Sequence, residues 1–424
     1  EYADHGDWAD RMLSRRSAMS HRSSYNGRTR YSSASGWVWA CEADGGGSSL
    51  ELVSSQMSNN HGANWRPSRD RHGTPGAVNS MQARNIAPLI SKVRHRPVIP
   101  QPNQRVLVLA EIDDENMASV RAEVLWRVSQ RRNREPFKAV PMLPIAAGRY
   151  TAVLPAYPDK TVIEFYVRAT DGAKQRQWPS GAEEETRANA LYQVDSEKNR
   201  TAMAFYRLIM TEDDNRSFGN SNRHSNAMSN TTLIADDGSG PVIRYGCGTR
   251  VRGAGSRSNN PPPMRVNIPR DRPWNGATRM NLNSVYPWLQ HIGMKIFQAS
   301  GLPAPNTTAV QARRNGRDYA SKRSKDYGAI VHVQPLDGIF LNEHYSEDDR
   351  GNLYKKVRPD RDWSWRRGDV SDYQNDGWLK QTNAGQWDWS DLDHFLDVMN
   401  NSPDSSNYLE QVESVMNLDQ WLRY

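Results

Sequence analysis

The chain has 424 residues, of which 37% are hydrophobic, and its 55 Lys and Arg against 48 Asp and Glu give a net charge of +7. This length exceeds one typical core and predicts two to four domains. No stretch approaches the roughly 18 consecutive apolar residues of a membrane helix, so we predict no transmembrane segment. The chain begins at Glu1 without a basic or apolar signal region, and we expect it to be an internal piece of a longer protein.

Basic residues are spread along the chain among acidic ones, and arginine dominates only near the start, at Arg11, Arg15, Arg16, Arg22, Arg28 and Arg30. Interleaved charges are typical of a solvated surface, so we do not expect a nucleic-acid partner. The alternative for the arginine-rich start is an acidic or phosphorylated partner.

The two cysteines, Cys41 and Cys247, have no neighbours at metal-ligand spacing, and the histidines form no paired spacing. The sequence therefore predicts no metal site. Cys247 ends a strand-like run that starts at Ile243, where we expect a small buried hydrophobe. Asp236-Asp237-Gly238 and Asp348-Asp349-Arg350-Gly351 lack full calcium-loop spacing, and turns are the favoured interpretation.

Residues 1–80 are rich in Ser, Arg, Gly and Asn, with a strand candidate at Ser49–Val53. The string Glu42-Ala43-Asp44-Gly45-Gly46-Gly47-Ser48-Ser49-Leu50-Glu51-Leu52 is followed by Asn64-Trp65 and by Gly73-Thr74-Pro75-Gly76. Together these resemble the end of a lamin-tail-like domain, a small immunoglobulin-like β-sandwich of secreted bacterial proteins. The N-terminal strands of such a domain are not evident, so we expect it to be incomplete.

Residues 98–180 contain three strand candidates, Val106–Ala110, Glu123–Val128 and Ile163–Ala169. In the last of them apolar and polar residues alternate, which predicts a half-buried strand. The segment resembles the fibronectin-III and immunoglobulin-like spacers of extracellular proteins, and we expect it to hold its neighbours apart. Residues 181–204 are charged without strand periodicity and predict a linker or a short helix.

Residues 205–424 mix both periods and predict an α+β domain. Strand candidates lie at Val242–Arg252, Met264–Ile268 and Ala329–Val333. The predicted helices are one capped by Asn283 or Ser284 with apolar Leu289, Ile292, Ile296 and Phe297, one starting at Ser390, and one opened by Pro403.

Within this part the ordered motifs are Arg252-Gly253-Ala254-Gly255-Ser256-Arg257, Arg265-Val266-Asn267-Ile268, Asn281-Leu282-Asn283-Ser284, Gly301-Leu302-Pro303-Ala304, Arg314-Asn315-Gly316 and Gly351-Asn352-Leu353-Tyr354-Lys355. In this order and spacing they resemble the spore-coat protein H (CotH) kinase-like family. The resemblance implies a diverged protein-kinase-like fold that acts outside the cytoplasm on Ser or Thr of surface or coat proteins, with ATP and Mg²⁺ as cofactors.

For such a site, Gly253 and Gly255 permit close backbone approach to phosphate, and Arg252 and Arg257 offer planar forks that match phosphate geometry. Arg265, on the next strand, would take the part of the strand lysine in kinases. The alternative is that the arginines pair inside the domain and the glycines serve a tight turn. The two interpretations stay open here.

Two features depart from the family pattern. Gln334 stands where the resemblance implies a Glu, and a neutral amide cannot anchor a cation by charge. The catalytic and metal-binding aspartates of the family would follow the helix at Trp421-Leu422-Arg423, so their positions lie beyond Tyr424 and the catalytic residues are unknown. We therefore expect a truncated kinase-like domain that transfers no phosphate by itself.

A further group combines acids and aromatic residues: Asp360, Asp362, Asp369, Asp372, Asp376, Asp388 and Asp391 with Trp363, Trp365, Tyr373, Trp378 and Trp389. Such groups can form a sugar-binding cleft or a glycosidase pair. The favoured interpretation is that the aromatic rings pack a loop-rich lobe and the acids are solvated.

The predicted fold class is multidomain, with β-sandwich modules followed by an α+β diverged kinase-like domain. The favoured function is a structural or assembly module of a large secreted or cell-surface bacterial protein. Its expected partners are surface or coat proteins or further copies of itself, with polysaccharide as another candidate. The alternative is an extracytoplasmic ATP-dependent protein Ser/Thr kinase.

Overall fold

The computed structural model describes residues 10–14, 23–25, 28–30, 36–43, 46–131, 134–180, 189–198, 202–220, 223–253, 255–320, 329–357, 362–401 and 406–424. They form two compact units: Glu1–Trp288 with Ala309–His332, and Leu289–Thr308 with Val333–Tyr424. In the described parts of both, no helix combines the length and the apolar character that spanning a membrane requires.

The first six strands of the first unit form three separate antiparallel pairs, β1 with β4, β2 with β3 and β5 with β6. Their bounds are β1 Asp10–Ser14, β2 Ser23–Tyr25, β3 Arg28–Arg30, β4 Gly36–Ala40, β5 Ser48–Leu52 and β6 Trp65–Arg71. Glu51 on β5 is buried and accepts hydrogen bonds from Thr74 Oγ1 (2.6 Å) and Ser80 Oγ (2.8 Å). This carboxylate therefore fixes the Gly-Thr-Pro-Gly loop against the strand.

The next nine strands form a β-sandwich. They are β7 Leu89–Arg96, β8 Val106–Asp113, β9 Arg121–Val128, β10 Lys138–Pro141, β11 Leu143–Ala146, β12 Arg149–Leu154, β13 Val162–Thr170, β14 Gln175–Trp178 and β15 Ala190–Gln193. One sheet has the order β11-β12-β8-β7, and the other has the order β10-β9-β13-β14 with β15 also on β13. Inward-facing residues such as Val108, Val124, Leu154 and Phe165 form the shared core. All three strand candidates predicted in this segment are present.

Two expectations for this region are wrong. Strand β13 is buried on both faces, because Glu164 and Tyr166 are as inaccessible as the apolar residues between them. The stretch predicted as a linker contains β15, a fully buried strand that pairs with β13. The alternation of apolar and polar residues correctly predicted a strand. It could not show that other residues cover the polar face of that strand.

The remaining strands of the first unit form an eight-stranded sheet with the order β16-β17-β18-β19-β20-β23-β21-β22. Their bounds are β16 Ala204–Ile209, β17 Ser229–Asp236, β18 Val242–Val251, β19 Met264–Asn267, β20 Arg279–Asn283, β21 Thr307–Arg314, β22 Arg317–Asp318 and β23 Ile330–Val333. A parallel pairing of β16 with β21 closes strands β16-β17-β18-β19-β20-β23-β21 into a seven-stranded barrel, and β22 extends it outside. The α-helix α1, Glu212–Ser217, follows β16.

The barrel interior is an apolar core to which each strand contributes alternate residues, among them Leu208, Leu233, Val266, Leu282 and Val310. Cys247 is buried here, as predicted. The three predicted strands of this segment are present as β18, β19 and β23. The predicted mixture of helix and strand was correct, but the closure of the sheet was not foreseen.

The second unit contains most of the helices and a two-stranded sheet. The elements are α2 Pro287–Ala299, α3 Gly338–His344, β24 Tyr354–Lys356, α4 Val370–Asn375, β25 Trp378–Lys380, α5 Ser390–Asn401, α6 Tyr408–Val415 and α7 Leu418–Arg423. The predicted helix-opening Pro403 lies outside the described residues. The helix predicted after Asn283 is present, but its apolar Leu289, Ile292 and Ile296 are 51%, 51% and 59% exposed.

In the second unit the aromatic rings pack into a core, as the favoured interpretation expected, and acids make local hydrogen bonds. Tyr373, Trp378 and Trp389 form a buried cluster with two leucines of α5. Asp369 caps α4, and Tyr354 donates a hydrogen bond of 2.6 Å to Asp391. The carboxylates thus serve local structure around an aromatic core. Asp360 lies outside the described residues.

Candidate functional site: an arginine face on the barrel

Three neighbouring strands place arginine and asparagine side chains on the outer surface of the barrel. Arg250 on β18 lies opposite Arg265 on β19, which lies opposite Asn281 on β20. Their neighbours Val251, Met264 and Leu282 belong to the interior core. Because side chains alternate along a strand, the arginines point outward. We name Arg250, Arg252, Arg265, Asn281 and Asn283 the arginine face.

The known hydrogen bonds of Arg250 and Arg252 all go to neutral oxygens. Arg250 Nη1 donates to Asn226 Oδ1 (3.0 Å) and to a backbone carbonyl (3.1 Å), and Arg252 Nη1 donates to Asn283 Oδ1. Arg265 Nε donates to Asn267 Oδ1 at 3.2 Å. Among the residues that the structure describes, no carboxylate forms an ion pair with Arg250 or Arg252. The positive charge of these two side chains is therefore not neutralised within the described fold.

Burial and repulsion between neighbouring arginines disfavour the charged form of the arginines on this face. Burial, and then repulsion from Arg265, Arg257 and Arg252, lowers the pKa of Arg250 to about 9. Burial also lowers the pKa of Arg252. A bound anion would supply the missing opposite charge and reverse both effects, which makes this surface a candidate anion site.

Arg257 differs from the other arginines because its guanidinium is already surrounded by protein oxygens. The residue is 1% exposed. Its Nε donates to the carbonyl of Gly253 (2.6 Å), its Nη1 to the carbonyls of Arg223 (3.2 Å) and Ser225 (2.9 Å), and its Nη2 to Asn226 Oδ1. Burial, followed by repulsion from Arg252, lowers its pKa to about 10. These contacts use four of the five N–H groups of a guanidinium.

Gly253 and Gly255 differ in whether a larger residue could take their place. Gly253 has a φ of 93°, and a Cβ at this position would lie 2.0 Å from Ser256 Oγ. A side chain there would be strained and would clash, so the turn needs glycine. A Cβ on Gly255 would meet no atom within 4 Å. Gly253 thus shapes the turn that presents its carbonyl to Arg257, and the space beside Gly255 is open.

The match to a known family covers this surface. Residues 249–424 match the CotH kinase protein family. This CotH region is under half of the chain and includes every arginine of the face. It excludes Asn226, which accepts hydrogen bonds from both Arg250 and Arg257.

Comparisons of the whole chain add little to this match. No curated protein is significantly similar. Among solved structures, a cycloalternan-forming enzyme from Listeria monocytogenes is 9% identical over 46% of this chain and 22% of its own length, with a TM-score of 0.20. A titin fragment, A168169, is 11% identical over 43% of this chain and 90% of its own, with a TM-score of 0.16. Such low scores support no conclusion about the fold or the site.

Sequence reasoning identified Arg252, Arg257 and Arg265 and missed Arg250. The signal was present, since Arg250 precedes Arg252 by two residues in a predicted strand and must share its face. Asn226 and Asn283 could not be linked to the site before the register was known.

Gln334, where the family implies a Glu, accepts a hydrogen bond from Asn306 N (3.0 Å) and donates one to Glu343 (2.7 Å). Among the described residues, no group of three or more His, Cys, Asp or Glu side chains could hold a metal ion.

Proposed function

We propose that the CotH region binds phosphate groups on its arginine face and that the chain acts as a structural or assembly module of a bacterial surface or coat. The observation that carries the proposal is the set of Arg250, Arg252 and Arg265 on one sheet face, where Arg250 and Arg252 donate to neutral oxygens among the described residues. Guanidinium groups bind phosphate oxygens bidentately, and such charged hydrogen bonds are stronger than neutral ones. The surface location rests on the sequence resemblances alone.

ATP is the ligand that the family suggests, and its phosphates fit the donors that this face presents. Arg250, Arg252 and Arg265 would hold the phosphates, while Asn226 and Asn283 orient two of the guanidinium groups. Bound Mg²⁺ would screen charge between phosphates during transfer. The face itself consists of guanidinium and amide groups, so we assign no residue to the metal.

The second candidate is an extracytoplasmic protein Ser/Thr kinase, which the description of the matched family favours. Phosphoryl transfer needs carboxylates that hold the metal and orient the hydroxyl. Since the arginine face supplies binding groups and no such acid, we place phosphate binding first. Metal-dependent transfer of phosphate from ATP to a protein hydroxyl, by this chain, would reverse that order.

Calorimetric titration with ATP and with pyrophosphate, with and without Mg²⁺, tests phosphate binding. We expect Arg250→Met and Arg265→Met each to weaken binding about tenfold to a hundredfold, the equivalent of one charged hydrogen bond. Arg105→Met, which changes an exposed arginine of the sandwich, is the matched control and should leave the affinity unchanged. Equal loss in all three variants, or no measurable binding by the wild type, would contradict the proposal.

The Arg257→Met variant tests whether this arginine stabilises the fold, in contrast to the arginines that we propose bind phosphate. Because its guanidinium is held by four protein oxygens, this change should lower the free energy of unfolding by about 3 kcal/mol or more. Arg252→Met should change stability little and reduce phosphate affinity. Thermal unfolding measured together with the titration distinguishes the two patterns.

A further inference from the structure

One end of the barrel is built from the connections between its strands and opens into a cavity. Strand β16 ends at Ile209 and the parallel strand β21 ends at Arg314, so both finish at this end. Described residues of the β16–β17 and β18–β19 connections and of the β21–β22 hairpin meet there. Together with Arg131 and Lys160 of the sandwich they line a cavity with a volume of about 1260 Å³. Its lining includes none of the residues of the arginine face. Mouths of β-barrels are common places for ligand sites.

Arg314 is one of the cations that line this mouth. Its guanidinium lies over the rings of Phe218 (4.8 Å) and Tyr319 (5.4 Å). Among the described residues it donates no hydrogen bond and pairs with no carboxylate. The two rings hold the cation in place, and its N–H groups meet no acceptor within the described part of the chain. Burial lowers the pKa of Arg314, and the charge of Arg317 adds to this effect.

Further cations line the same cavity, and its acids are already engaged. Arg216, Arg223 and Arg317 contribute to the lining. Glu212 accepts a hydrogen bond from Asn315 (3.2 Å), and Asp318 pairs with Arg313 (2.9 Å). The mouth therefore has an excess of positive charge and favours an anionic ligand.

Neutral hydrogen-bonding groups surround these cations. Asn215, Asn260 and Ser258 line the cavity. Within the part of the chain that the structure describes, the side-chain amides of Asn215 and Asn260 make no hydrogen bond. An amide offers both donors and acceptors, as hydroxyl groups of a sugar require.

We propose that the barrel mouth binds an acidic oligosaccharide, with a sugar carboxylate at Arg314 and hydroxyl groups at the asparagines. The volume exceeds the roughly 300–1,000 Å³ of ordinary small-molecule pockets, which leaves room for an oligomer. A phosphorylated peptide is the competing anion. Arginine clusters bind phosphorylated peptides too, but a peptide that added a strand at this mouth would find only the two-residue β22 at the sheet edge.

Titration with trigalacturonate, followed by calorimetry, tests the site, with maltotriose as the uncharged comparator and a phosphoserine peptide as the competing class. We expect trigalacturonate to bind at least tenfold more tightly than either. Arg314→Met keeps the packing between the two rings and should weaken binding at least tenfold. Arg317→Met, at an exposed position, should weaken it severalfold without affecting folding. Arg94→Met on the sandwich is the control and should change nothing.

Three results would overturn the proposal: equal affinity for maltotriose, tighter binding of the phosphoserine peptide, or trigalacturonate affinity that is the same in Arg314→Met, Arg317→Met and the wild type. The site is independent of the proposed phosphate site. Arg250→Met should leave trigalacturonate affinity unchanged, and Arg317→Met should leave ATP affinity unchanged, so the failure of one proposal is distinguishable from the failure of the other.

Discussion

His95 illustrates how a single buried side chain ties two parts of the first unit together. It is fully buried, its Nδ1 lies 2.5 Å from the hydroxyl of Tyr245, and its Nε2 lies 3.1 Å from the carbonyl of Val98. A neutral ring satisfies both contacts, with Nε2–H donating to the carbonyl and Nδ1 accepting from the hydroxyl. Burial is the cause that lowers the pKa of His95 to about 4.

This pKa predicts acid sensitivity. Between pH 6.5 and 4 the unfolded chain binds a proton at His95 that the folded chain does not, so the free energy of unfolding falls as pH decreases. The contribution is complete above pH 6.5 and amounts to about 3 kcal/mol over this window. Denaturant unfolding at pH 7, 6 and 5 should show a shallower pH dependence in His95→Gln than in the wild type. The exposed His394→Gln is the control, and identical slopes in all three proteins would refute the assignment.

At the scale of elements, strands β9 and β13 contain two cross-strand ion pairs in different surroundings. Arg127 and Glu164 are directly opposite each other, 3.0 Å apart, with side chains 4% and 2% exposed. Arg168 and Glu123 are also opposite, 2.6 Å apart, but each is 31% exposed. Asn189 donates a further hydrogen bond to Glu164. The same strand pair thus provides a buried ion pair and a partly exposed counterpart.

Removing the acid from each pair should have very different consequences. Glu164→Ala leaves the buried Arg127 cation without its partner and should lower the free energy of unfolding by about 3–5 kcal/mol. Glu123→Ala removes a solvated pair and should cost less than about 1 kcal/mol. Urea unfolding of both variants measures the difference, and equal effects would show that burial of the pair has no energetic role.

At the scale of the molecule, strand β18 of the barrel contributes Tyr245 to the core of the sandwich. Gly246 has a φ of 69° at the register shift between β17 and β18, where a bulge lets neighbouring side chains turn to different faces. Cys247 therefore packs inside the barrel, while Tyr245 packs in the sandwich core against Phe165 and Trp178. This arrangement makes the two folds parts of one compact unit.

We therefore expect the sandwich and the barrel to unfold together. Tyr245→Ala should cost about 3–5 kcal/mol, as other truncations of buried aromatic residues do, and should uncouple the two. Hydrogen exchange should give similar opening free energies for β13 and β20 in the wild type, and a selective loss of protection in β13 in the variant. Leu143→Ala, which shortens a side chain that is 66% exposed, should alter neither. Independent exchange of the two strands in the wild type would contradict shared unfolding.

Periodicity in the sequence was sufficient to locate β8, β9, β13, β18 and β19, because alternation is a local property of a strand. The order of short motifs was sufficient to suggest the CotH family and three arginines of the candidate site. It did not include Arg250, which becomes part of the site through its register opposite Arg265.

The tertiary structure decided everything that depends on residues distant in the chain. The parallel pairing of β16 with β21 joins segments about a hundred residues apart and closes the barrel. The mouth around Arg314 exists because connections from several parts of the chain meet at one end, and no local pattern records that meeting. Local sequence determined which strands form and which side chains alternate on them. Which faces are covered, and which charges are left without a partner, follows from long-range packing alone.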